Sequence, residues 1–77
     1  MASLNIETMR VEYQGKSDAE AAKAYALRHG YIAIIRYKRE GAHDFTNIGA
    51  CQHDYEIRKY LSSPACYEAE LIYDGRV

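Results

Sequence analysis

From Thr8 to Tyr13 the chain alternates: Met9, Val11 and Tyr13 are apolar, and Thr8, Arg10 and Glu12 between them are polar. A period of two sends successive side chains to opposite faces of a pleated strand, so residues 5–13 are expected to form a half-buried strand. Leu4 and Ile6 fall on the other parity, which predicts a bulge near Glu7 or a short segment ahead of the strand. After a turn at Gln14, Gly15 and Lys16, Ser17-Asp18-Ala19-Glu20 has the form of a capping box, in which the Ser17 hydroxyl accepts from the Glu20 backbone and Glu20 reaches back. Asp18 adds negative charge at the positive end of the helix dipole. The helix then runs over 18–28, with Ala19, Ala22 and Ala26 small enough to lie close on a sheet, and Gly30 closes it as a left-handed cap.

Residues 31–39 carry the strongest strand pattern, apolar on both parities at first and alternating later through Arg36, Tyr37, Lys38 and Arg39. The first half is expected to be buried on both faces. A hairpin turn at 40–44 leads into a weaker strand at 45–51, interrupted by Gly49. From His53 or Asp54 to Ser62, Ile57, Tyr60 and Leu61 recur at helical spacing; Asp54 reads as the cap, and Pro64 prevents continuation. A last half-buried strand is expected over 65–73, before Asp74 and Gly75.

The order β-α-β-β-α-β, joined by short right-handed crossovers, predicts an α+β fold of the ferredoxin-like type. It is a single domain over residues 1–77 with a four-stranded antiparallel sheet, two helices and strand order 4-1-3-2. That order places the strand with Arg36, Lys38 and Arg39 at one edge of the sheet and the strand with Glu68 and Glu70 at the other. One basic and one acidic edge would discourage pairing with like copies and could attract a complementary strand, although ordinary solvated charges account for the same layout.

Composition narrows the picture. With 77 residues there is room for one core, and 48% hydrophobic residues that include eight Tyr, one Phe and no Trp predict a core that is thin and partly wet. Small domains of this kind gain stability from association, so a homodimer is expected. A net charge of −1 supplies neither the positive field that drives phosphate binding nor the heavy negative charge of a nucleic-acid mimic. Two cysteines, no long apolar run and no basic amphipathic leader point to a reducing, cytoplasmic setting without a membrane span.

Candidate chemistry is sparse. His43-Asp44 and His53-Asp54 could each pair a base with an orienting carboxylate, but adjacent residues point in different directions in most backbones. Cys51, His53 and Cys66, with His43, carry zinc-ligand chemistry at spacings that match no compact ligand pair; half-buried thiols are the simpler reading. Cys51 beside His53 lacks the third group of a nucleophilic site. Scattered glycines leave no phosphate loop, so no nucleotide cofactor is expected, and with the His and Cys spacings matching no known site, neither is a metal or an enzyme activity. An open sheet face with Tyr31, Tyr37, Tyr67 and Tyr73 beside Arg36, Lys38 and Arg39 could stack RNA bases, yet residues 44–50 lack the aromatic-rich pattern of an RNA-recognition strand.

The unit from Ser17 through Ala24 followed by the strand from Tyr31 to Tyr37, in a chain of this size, resembles the small phage-encoded inhibitors grouped as anti-CRISPR proteins. Several of those are one-domain α/β folds that act by occupying surfaces; the resemblance implies inhibition by binding and carries over no residue roles. The function expected is therefore a non-enzymatic protein-binding module, an inhibitor covering a surface of a host nucleic-acid-processing or defence complex. Arg36, Tyr37 and Arg39, with Tyr60 and Tyr67, are the expected contact residues, because Tyr and Arg are enriched at interfaces. An RNA- or single-stranded-DNA-binding module and a small metal-binding protein are the alternatives.

Overall fold

The computed structural model describes residues 2–64, 66 and 68–76. In chain order the elements are β1 (Ala2–Asn5), α1 (Ile6–Glu12), α2 (Asp18–His29), β2 (Ala33–Lys38), β3 (Asn47–Cys51), α3 (Asp54–Ser62) and β4 (Glu68–Asp74). The α+β class holds, but the ferredoxin-like arrangement with two helices does not. Three antiparallel strands, β3, β2 and β4, form the body of the sheet, and the four-residue β1 adds to the outer side of β3, giving the order β1-β3-β2-β4.

The first correction lies at residues 5–13, where a helix replaces the expected strand. Asn5 acts as N-cap, its side chain accepting from the Glu7 amide at 2.7 Å. Ile6 and Met9 then meet the core at helical spacing, with Tyr13 packed beside them, while Val11 stays 59% exposed. The alternation of Met9, Val11 and Tyr13 is therefore the accidental overlap of a helical stripe with one outward-facing apolar residue.

The second correction is the position of the last strand. In the 4-1-3-2 order β4 would flank β1; here it pairs with β2, with Ile35 opposite Leu71 and Arg36 opposite Glu70. A right-handed connection from β3 that passes over β2 instead of over β1 must cross on the other face of the sheet. Accordingly α1 and α2 cover one face and α3 the other, and the sheet separates two cores. Ile34, Ile48 and Ala50 meet Ile6, Met9 and the close-packed Ala21, Ala22 and Ala26 of α2 on the first face. Ala33, Ile35, Tyr37 and Cys51 meet Ile57 and Tyr60 of α3 on the second. The central strand β2 is buried from both sides over Ala33, Ile34 and Ile35, as its doubly apolar first half predicts.

The other boundaries follow local chemistry. Ser17 and Glu20 form the reciprocal capping box of α2, and Gly30 ends it at φ 78°. At α3 the cap is His53, not Asp54; the Glu56 carboxylate, buried in the turn, accepts from the Gln52 and His53 amides at 3.0 and 3.1 Å. Gly49 lies directly beneath the Tyr60 ring, where no side chain fits: a Cβ there would stand 2.5 Å from Tyr60 Cζ. Among the described residues no helix is long and apolar enough to cross a membrane.

Candidate functional site

Those of the expected contact residues that the structure describes do not share a surface. Tyr37 and Tyr60 are 7% and 8% exposed and pack on each other beneath α3, with ring centroids 5.6 Å apart. Burial, reinforced by Tyr37, pushes the Tyr60 phenol up to about 12. Arg36, one residue before Tyr37 on β2, points to the opposite face. Arg39 is exposed just beyond β2, and Tyr67 lies outside the described residues.

Arg36 is held in a network where β2 and β4 meet the start of α2. Its guanidinium donates to Asp18 Oδ2 at 2.9 Å and to Glu70 Oε2 at 2.8 Å, and stands 4.4 Å above the Phe45 ring. Asp18, the first residue of α2, also receives a two-pronged contact from Arg10 at 2.9 and 3.0 Å. Hydrogen bonding from Arg10, and then from Arg36, holds the Asp18 carboxyl below its ordinary range against the opposing effect of burial. Burial works against the Arg36 charge, but Glu70 and Asp18 more than offset it, and its affinity for the proton is raised. Lys38 faces Glu68 at 3.7 Å. Because β2 and β4 are neighbours, the expected basic and acidic edges neutralise each other across one ladder, and only the acidic strand lies at an edge.

That edge is β4, seven residues long and, among the described residues, paired on its β2 side alone. Glu68 and Glu70 project from one of its faces with side chains 56% and 53% exposed, and a register shift opposite Ile34 and Ile35 bulges the strand near Ile72. Both flat faces of the sheet carry helices, so the bare aromatic platform that would stack single-stranded nucleic acid is taken up at the centre of the sheet.

A separate cleft of about 170 Å³ opens between α1 and α2 above the β1 side of the sheet. Met9 and Ile48 form its floor, Tyr25 and His29 its aromatic wall, and Asn5, Thr8 and Glu12 its polar rim. Tyr25 and His29 touch at 4.5 Å between ring centroids, and Tyr31 stacks on Tyr25 at 6.0 Å. Glu12 accepts from Arg28 at 2.9 Å. Partial burial, with Tyr31, Glu12 and Tyr13 nearby, raises the Tyr25 phenol, and among the described residues the buried Tyr13 hydroxyl has no hydrogen-bond partner. None of these cleft residues was singled out from the sequence, because the cleft needs α1 to be a helix.

The cysteine and histidine candidates stay apart. Cys51 is buried in the α3 core, where desolvation, followed by the nearby Glu56 charge, pushes its thiol up to about 11 and leaves it protonated at neutral pH. Cys66 is half-buried against the same core, His43 lies exposed in the β2–β3 loop, and His53 stacks on Tyr55. Among the described residues no three His, Cys, Asp or Glu side chains are grouped so as to hold a metal ion. Compared with known proteins, the chain matches no family, and no curated protein or solved structure is significantly similar to it.

Proposed function

We propose that this chain is a non-enzymatic protein-binding module that takes an extended basic segment of its partner along the free edge of β4. The observation that carries the reading is the seven-residue edge strand, whose outward backbone groups are a template for one more strand. Glu68 and Glu70 give that template a sign. A strand added there would set Lys or Arg beside them and extend the Arg36–Glu70 and Lys38–Glu68 pairs by one further rung. A second copy fits less well: antiparallel self-pairing centred on Leu71 would place Glu68 against the other copy's Asp74. Basic extended segments are common in complexes that handle nucleic acid, which supports the role of an inhibitor occupying a surface of such a host complex.

Amide hydrogen exchange of the protein, with and without a peptide of alternating Lys and Val, tests this reading. Slower exchange confined to β4, reduced at high salt and not reproduced by a Glu–Val peptide, is the expected result. Unchanged β4 exchange with the Lys–Val peptide, or equal protection by both peptides, would remove it.

A further inference from the structure

The cleft between α1 and α2 lies toward the edge of the sheet opposite β4 and has no part in strand addition. We propose that this cleft binds a guanidinium group carried on a short aliphatic stem. About 170 Å³ corresponds to roughly five or six water molecules at ~30 Å³ each, the size of one side-chain-like group. The floor of Met9 and Ile48, side chains of the apolar core, is suited to methylenes. The wall offers the ring of Tyr25 with His29 packed against it, and a planar cation stacks on such a surface where a spherical ammonium gains less.

Charge points the same way. Glu12 on the rim has one oxygen, Oε1, engaged by Arg28; among the described residues Oε2 has no partner, and a guanidinium fork recognises both oxygens of a carboxylate. Thr8 contributes a hydroxyl acceptor, and His29 marks the carbonyl end of α2, the negative pole of that helix. The molecule also supplies its own precedent: Arg28, with a side chain 66% exposed, already brings a guanidinium to Glu12 from the solvent side. Arg28 is thus both evidence for the chemistry and a competitor for the carboxylate.

The competition gives the test its discriminating arm. Butylguanidinium is titrated into isotope-labelled protein and followed by amide chemical shifts, beside the uncharged isostere butylurea. Shifts centred on Thr8, Glu12, Tyr25 and His29 with the cation, and not with the urea, are expected. Glu12→Gln should weaken binding about tenfold or more, and Arg28→Ala should tighten it about two- to fivefold by releasing the carboxylate from an exposed pair. An arginine inside a neutral tetrapeptide shows whether the group enters as a free small molecule or as part of a protein; binding of either probe upholds the site and the comparison assigns its source. Absence of shifts at the cleft with both cations, equal binding of butylurea, or weaker binding in Arg28→Ala overturns the proposal. Thermal melts of both variants accompany the titrations, so that a loss of fold is read separately.

Discussion

Gly49→Ala is the sharpest perturbation the fold offers, because the backbone and the surroundings demand opposite outcomes. Gly49 does not have a positive φ, unlike Gly15, Gly30 and Gly41, so its conformation is open to alanine. On backbone grounds alone, replacing a strand glycine by alanine should stabilise the protein by about 0.4–1 kcal/mol through a less disordered unfolded chain. The packing forbids it: the new Cβ would lie 2.5, 2.6 and 2.7 Å from three carbons of the Tyr60 ring, about 1 Å inside the ~3.5–4.0 Å at which carbons rest. Tyr60 cannot tilt away freely, since it is 8% exposed and closed in by Tyr37. Overpacking of this kind costs about 1–3 kcal/mol, which outweighs the backbone gain and leaves a net loss of about 1–2 kcal/mol. For a domain of this length that lowers the melting temperature by roughly 5–15 °C. Urea melts of the single variant, of Tyr60→Leu and of the double variant form the assay. In the Tyr60→Leu background the alanine should become neutral or stabilising. An equal loss in both backgrounds, or no loss in the parent, would refute the account of the ring as the obstacle.

Three further outcomes concern the charged cluster around Asp18, the core beneath α3 and the cap of α2. Asp18→Asn breaks contacts to Arg10 and Arg36 and should cost about 1–2 kcal/mol at neutral pH, measured by denaturant unfolding. Because the Asp18 carboxyl is held below its ordinary value, its contribution is fully present above about pH 4 and fades as the pH falls through the depressed folded value; the variant should therefore lose stability less steeply in acid. In a thiol assay at pH 8 the buried Cys51, pushed up to about 11, should stay unmodified in the native protein and react only after unfolding. Ser17→Ala should remove about 1 kcal/mol by opening the capping box of α2, seen as a lower urea midpoint with an unchanged slope.

What the sequence discloses here is what short-range chemistry decides. Ser17, Glu20 and Gly30 bracket α2 because caps act within one helical turn, and Pro64 lies just beyond α3 because a proline cannot continue the ladder. The segment after Asn5 reads two ways, since Ile6, Met9 and Tyr13 suit a helix as well as Met9, Val11 and Tyr13 suit a strand. Val11 decides between them, and its exposure is a property of the folded chain; the Asn5 cap, with Glu7 in the first turn and Arg10 in the last, is the local chemistry that favours the helix. Which edge β4 joins is settled by pairing between distant segments, and the alternation within 65–73 is the same beside β1 or beside β2. Likewise Tyr37 and Tyr60 have the composition of an interface and the position of a core, a distinction that only the α3 packing makes. The cleft was out of reach for a related reason, as its rim belongs to the helix that alternation concealed.

The strand order also sets the sequence of events by which the chain can assemble. Only the β2–β3 pairing joins elements that follow each other directly; β1 must wait for β3, and β4 must close back over α3 to reach β2. Closing the longer loops costs more entropy before any contact rewards it, so the β2–β3 hairpin with α2 laid on it forms the economical nucleus. Both outer strands dock onto a sheet that already exists, and they are the elements whose release disturbs least of the rest. Substitutions in β2 or β3 should therefore slow folding, whereas those in the outer strands β1 and β4 should mainly hasten unfolding, so the strand that presents its free edge is one the rest of the sheet can stand without.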